Sequence, residues 1–249
     1  MELLYRDEAV AAFHKPAGLL MHRSAIDRHE TRFALQEARD VLGQRVYPVH
    51  RLDRPTSGVL LFALDPGVAR RLTLAFTTGR VHKTYRAVVR GFTAVEGLID
   101  HPLGELLDPM TDQGVDPHKG PQSAATAYRR LATVELPHAV GPYATARYSL
   151  VEVSPRTGRR HQIRRHMKHM AHPVVGDTTH GDGRHNAFFR ERYGCRRLLL
   201  AAVGLALAHP LRGETLVIEA PPAPDFQDVV DAIPWQWDVP QPSTDRAKP

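Results

Sequence analysis

The sequence predicts a mixed α and β fold, and three observations carry that prediction. Segments 82–91, 124–133 and 144–153 are rich in strand-forming residues and alternate in polarity with the two-residue period of strands. Residues 31–42 instead space their apolar positions helically, placing Ala34, Leu35, Ala38, Val41 and Leu42 on one face. Asp65–Pro66, directly after an apolar run, has the composition of a helix start, with Asp as N-cap and Pro in the first turn.

The remaining elements follow in chain order. Residues 3–5 and 9–13 read as two short strands joined by a polar turn, and KPAGLL then interrupts with Pro16 and Gly18. The helix over 31–42 stops at Gly43, the run 58–64 reads as a buried strand, and the helix opened by Asp65 ends at Gly79. Segment 104–122, rich in Gly, Pro and Asp, is expected to be an excursion from the sheet, since strands resume after it. RLLLAAVGLAL and ETLVIEA supply late strands, and 239–249 is expected to be a disordered tail. With no internal repeat and no clear boundary, residues 1–238 are expected to form a single domain.

Composition narrows the function without deciding it. A chain of 249 residues, 42% hydrophobic, can bury a sizeable core. No apolar run is long enough to span a bilayer, so no membrane partner is expected. The start MELLYRDEAV lacks the basic and apolar regions of a signal peptide, and the sole cysteine, Cys195, cannot form an internal disulfide; both suit a reducing cytoplasm. The net charge of +6 comes largely from arginine, whose planar fork matches phosphate, so nucleic acid is a reasonable partner. A merely basic surface explains the charge equally well.

Three segments have the residue types for chemistry. In HRLDRPTSG, Asp53 lies between Arg51 and Arg54, and nearby cations favour an ionised carboxylate, a nucleophile or base. A surface ion pair or turn cap is the alternative there. In HKTYRAVVRG, Lys83, Tyr85 and Ala87 share a strand face, so Tyr85 is either a stacking platform for a base or a half-buried strand residue. RTGRRHQIRRHMKHMAHPVVGD is the densest basic stretch; a helix from about residue 160 would set Arg160, Arg164 and Lys168 along one stripe facing phosphate. Its His166, His169 and His172 recur three apart, but no recognisable zinc spacing completes them, and no metal is expected. GxGxxG, P-loop and GxSxG signatures are absent.

These three segments, in this order, together with the opening LLYRDEAVAAFHKPAGLLMH, resemble the motif set of the RluA-type pseudouridine synthases over about residues 2–220. MHRSAIDRHET and KGPQSAATAYRRLATVELP are similar to that family's tRNA-acting branch, which modifies the uridine at tRNA position 65 in the T stem. The resemblance implies an α+β pseudouridine synthase fold, with a mostly antiparallel mixed central sheet, flanking helices and a basic catalytic cleft. It also implies a catalytic domain without a preceding S4-like segment, acting as a monomer on tRNA.

Residue by residue, the resemblance makes Asp53 the essential aspartate, Tyr85 the tyrosine that stacks on the flipped uracil and helps move the C5 proton, and Arg164 the partner of the aspartate. Arg51 matches a side chain that fills the space left by the flipped base, and Leu200 lines the base pocket; Arg54, Lys83 and Arg160 are further RNA-binding candidates. Where relatives often read Leu-His-Ala, this chain has Leu200-Ala201-Ala202. The implied isomerisation moves one glycosidic bond from nitrogen to carbon and gains no atom, so no cofactor is expected. Rival readings are a synthase acting on ribosomal RNA or another tRNA position, a non-catalytic RNA-binding protein on the same fold, and a metal-dependent hydrolase using the histidines.

Overall fold

Seven consecutive buried residues, Ser57–Ala63, explain where the sheet begins: a strand apolar on both faces must be covered on both sides. Each fully buried Val, Leu or Phe there contributes about 1.5–3 kcal/mol. The structure, a computed structural model, describes residues 1–22, 30–106 and 120–238, which form eleven strands and five helices.

The first part of the chain builds around that strand. β1 (Glu2–Arg6) pairs antiparallel with β2 (Val10–Lys15), and β2 with β4 (Ser57–Ala63); the short β3 (Tyr47–Pro48) also pairs with β4. α1 (Ala34–Leu42) ends where Gly43 turns left-handed at φ 64°. α2 (Pro66–Thr77) starts on Asp65, whose carboxylate accepts the Gly67 and Val68 N–H groups at 2.7 and 3.2 Å.

The second part contains β5 (His82–Arg90), β6 (Glu96–Asp100), β7 (Ala125–Leu136), β8 (Ala146–Pro155), β9 (Leu200–Ala208), β10 (Thr215–Glu219) and β11 (Gln236–Trp237), with α3 (Gln162–His169), α4 (Gly183–Tyr193) and α5 (Pro224–Asp231). The sheet order is β1-β2-β4-β9-β5-β8-β7-β11, with β3, β10 and β6 attached to β4, β9 and β7. Pairing between these strands is antiparallel except at one seam, where β4 meets β9 in parallel through Ser57↔Ala201 and Gly58↔Ala202. Gly58 has φ +115°, and a Cβ there would lie 1.9 Å from the Ala202 carbonyl oxygen, so only glycine permits this approach.

Several expectations need correction. Val41 is 51% exposed, because α1 buries only the narrower stripe Ala34, Ala38 and Leu42. Arg160, Arg164 and Lys168 do not form a phosphate-facing stripe: Arg160 precedes α3, Lys168 is exposed, and Arg164 is buried. The backbone of His161, left-handed at φ 54°, separates Arg160 from the helix. Of the 104–122 excursion, the two ends are described, joined by reciprocal backbone hydrogen bonds between Leu103 and Gln122 of 2.9 and 3.0 Å. Residues 107–119 of that segment and the tail 239–249 lie outside the described residues.

Candidate active site

The loop carrying Asp53 is fixed from several sides before it enters β4. His50 accepts the Leu61 N–H on Nε2 at 2.9 Å and stacks on Phe76; burial, with Lys83 adding repulsion, pushes its pKa down to about 3. Leu52 is buried in the core beneath the loop. Lys15 is fully buried, and its ammonium donates to the carbonyls of Pro16, Arg54 and Thr56 at 3.0, 3.0 and 2.9 Å. Burial lowers its pKa to about 7, against the attraction of Asp53. Gly18 N–H also donates to the Arg54 carbonyl at 2.8 Å, and Thr56 N–H to the Asp53 carbonyl at 3.0 Å. The KPAG turn and HRLDRPTSG are thus one interlocked unit.

Asp53 meets its cation here. Arg164, at the first turn of α3, donates from Nη1 to Oδ2 of Asp53 at 3.2 Å. Its Nε and Nη2 grip Asp177 at 2.7 and 2.8 Å. Burial opposes the charge on Asp177, but hydrogen bonds from Arg164 and from the His180 and Thr179 N–H groups outweigh it and hold the carboxyl below its ordinary range. Burial likewise opposes the charge on Arg164, and the two carboxylates outweigh it. The Oδ1 of Asp53 has no hydrogen-bond partner among the described residues, while its side chain is 20% exposed in the cleft. One carboxylate oxygen is held and the other is available.

Tyr85 sits mid-sheet on β5, opposite Ala202 of β9 and Val153 of β8. Half-buried, it packs against the Leu60–Ala202 cluster on one side and the Val153–Leu200 cluster on the other. Burial and the nearby Asp53 charge raise its phenol pKa, so the hydroxyl stays protonated. That hydroxyl makes no hydrogen bond among the described residues. Leu200 is buried beside Tyr85 instead of lying on the cleft surface.

The cleft above has a volume of about 1230 Å³ and, among the described residues, is lined by eight arginines against three carboxylates. Arg51, Arg54 and Arg160 are exposed along it. Arg54 donates to the Gly18 carbonyl at 3.1 Å and pairs with Glu30, and Arg160 donates to the Leu106 carbonyl at 3.0 Å. Lys83 is elsewhere: it is 9% exposed, donates to the Thr157 carbonyl at 2.8 Å, and burial lowers its pKa to about 8. This contradicts a surface phosphate contact for Lys83 and gives it a structural role holding the start of the RTGRRH loop.

Among the described residues, the histidines of the basic stretch form no group that could hold a metal ion. His166 bonds Thr126 and the His101 carbonyl at 2.9 and 3.0 Å, His169 stacks on His101, and His172 bonds the Arg90 carbonyl at 2.8 Å. Sequence reasoning missed three contributors to the site: Asp177, Lys15 and His161. All three lie inside quoted motifs, and the Gly176-Asp177 turn was the available signal: Gly176 has φ +80°, and a Cβ there would lie 1.9 Å from the Arg197 carbonyl.

An aspartate with one free oxygen, a shared arginine, a protonated tyrosine and an arginine-lined cleft define a site for chemistry on a polyanion. Residues 9–169 match the family described as RNA pseudouridylate synthase. A tRNA pseudouridine synthase C from Vibrio cholerae is 50% identical over 236 residues, covering 95% of this chain and 97% of that protein. One from Yersinia pestis is 49% identical over 94% of this chain and 91% of its own. The solved structure of human RNA Pseudouridylate Synthase Domain Containing 1 superposes with a TM-score of 0.69 at 26% identity, covering 100% of this chain and 95% of that one. The chain belongs to the RNA pseudouridylate synthase family. It is a pseudouridine synthase, an isomerase.

Proposed function

We propose that this enzyme isomerises uridine to pseudouridine in tRNA, at the T-stem uridine 65, as a cytoplasmic monomer. The observation that carries the chemistry is the split carboxylate of Asp53: Oδ2 is held by Arg164, and Oδ1, in the cleft, has no hydrogen-bond partner among the described residues. The tRNA assignment rests on the relatives named tRNA pseudouridine synthase C, half of whose residues are shared.

In the reaction the C1′–N1 bond breaks, a C1′–C5 bond forms, the C5 proton leaves and N1 gains one. Asp53, hydrogen-bonded by Arg164, supplies the negative group that starts the exchange. Tyr85, protonated and without a hydrogen-bond partner among the described residues, stacks on the uracil and relays the C5 proton. Extruding a stem base costs a few kcal/mol. Arg51 offsets this by entering the vacated space, while Arg54, Arg160 and the other cleft arginines hold phosphates. Leu200 supports the base pocket from beneath Tyr85.

The test incubates purified protein with unmodified tRNA and maps pseudouridine. The wild type is expected to modify position 65, and Asp53→Asn to modify nothing while still binding tRNA. Turnover by Asp53→Asn removes the catalytic assignment, and modification only at another position removes the site assignment.

A further inference from the structure

His161 is the residue the chemistry above leaves unused. It lines the cleft one residue before α3, in a left-handed backbone conformation (φ 54°) that non-glycine residues rarely adopt. Its ring is fixed on one side only. Nδ1 lies 2.9 Å from Nε2 of His180, and the His180 backbone is in turn tied to Asp177 by a 2.9 Å hydrogen bond. The other nitrogen, Nε2, is 4.0 Å from Oδ2 of Asp53, too far for a hydrogen bond, and has no partner among the described residues.

The surroundings decide which nitrogen holds the proton. A lone pair on Nε2 would face the Asp53 carboxylate, whereas an N–H is attracted to it. The favoured arrangement therefore has His180 Nε2–H donating to Nδ1 of His161, and Nε2–H of His161 pointing towards Asp53. The ring stays uncharged: burial, together with Arg164, His180 and Arg160, outweighs the attraction of Asp53 and lowers its pKa to about 4.

From this geometry we infer that His161 is a further catalytic residue, donating an Nε2–H hydrogen bond to a carbonyl oxygen of the uracil held against Asp53, with His180 as the positioning residue that fixes its tautomer. The inference rests on the pseudouridine reading of the site. It gives the pair a chemical purpose under either course of reaction. If the aspartate adds to C6, negative charge moves onto the ring carbonyl; if the glycosidic bond breaks first, the departing uracil carries that charge on its ring. A fixed neutral donor stabilises the charge without giving up its proton.

Two measurements test it. In single-turnover assays on tRNA, His161→Asn, which tolerates the left-handed backbone but shortens the donor's reach, is expected to slow the chemical step about 100-fold, the loss typical of removing one such donor. Affinity for tRNA and melting temperature should be little changed, and His161→Gln, which extends an N–H to the same position, should recover much of the rate. A wild-type rate for His161→Asn overturns the inference; if the wild type forms no pseudouridine at all, the underlying reading fails instead. Should His161→Asn fold poorly, the ¹⁵N shifts of the wild-type imidazole decide: neutral, Nε2-protonated His161 at pH near neutrality supports the inference, and an imidazolium or the Nδ1-protonated tautomer overturns it.

Discussion

Arg164 is bound more firmly to Asp177 than to Asp53: two short hydrogen bonds, 2.7 and 2.8 Å, hold the fully buried Asp177, and a single longer one of 3.2 Å reaches Asp53. Asp177 therefore orients the guanidinium, and Asp53 uses the nitrogen left over. This arrangement leaves Asp53 less constrained than an aspartate gripped at both oxygens.

Asp177→Asn keeps the shape but replaces one acceptor oxygen with an amide, so Arg164 loses its two-point seat. Breaking a buried pair by removing one partner costs about 3–5 kcal/mol, and urea unfolding should show a loss of that order. Turnover should fall about 100-fold as the guanidinium shifts. An Asp177→Asn protein as active as the wild type would mean that Arg164 is positioned by Asp53 alone.

Tyr85→Phe keeps the ring that packs on both clusters, so the fold and tRNA affinity should survive. The lost hydroxyl should slow turnover by about 100-fold or more, the usual contribution of a positioned proton-transfer group. Equal rates for Phe and Tyr would leave only a stacking role. Rapid-quench measurement of the bound reaction separates the two outcomes.

Lys15→Met fills the same space but removes the ammonium donor from the Pro16 and Thr56 carbonyls and leaves the Arg54 carbonyl with only the Gly18 N–H. Each such loss costs about 1–3 kcal/mol, partly relieved by no longer burying an ammonium. Stability should drop by about 2 kcal/mol, and turnover should fall because the Arg54 and Thr56 carbonyls flank the Asp53 turn. A stability loss without any kinetic change would show that the turn holds its shape unaided.

The acid limit of stability should lie partly in Asp7, far from the cleft. Burial opposes its charge, but hydrogen bonds from Tyr5, the Val10 and Ala9 N–H groups and His209 outweigh that and lower its pKa from 3.8 to about 2. Its stabilisation is complete above the unfolded value and is lost as pH falls through the folded one, between about pH 4 and 2, and amounts to about 2 kcal/mol. Asp7→Asn should flatten that part of the acid unfolding curve, measured by circular dichroism. An unchanged curve would place the acid sensitivity elsewhere.

How far the sequence foretold this protein differs by element. The pairing of Asp53 with Arg164 was legible because short motifs carry both residues, and β5, β7 and β8 because their residues alternate. α4 was not: its apolar residues Ala187, Phe188 and Phe189 are consecutive and trace no helical stripe. The short β3 and β11, two residues each, have no period at all. Burial of Arg164, Lys15 and Lys83 was hidden for a different reason. A basic residue reads as a surface residue until its acceptors are known, and most of these come from elsewhere in the chain: Asp177 and Asp53 lie 13 and 111 positions from Arg164, Thr157 lies 74 from Lys83, and Thr56 lies 41 from Lys15.

The two-pair seam between β4 and β9 also bears on how the molecule comes to be reactive. Asp53 stands just before that seam on one side, whereas Tyr85 on β5 and Arg164 on α3 follow β4 in the chain, and Gly58 lets β4 and β9 touch. The Asp53–Arg164 pair therefore joins the same two stretches of chain as the parallel seam. A nascent chain, or one closed out of register, would carry the aspartate without its arginine, and on the function proposed above RNA that met it would be left chemically unaltered.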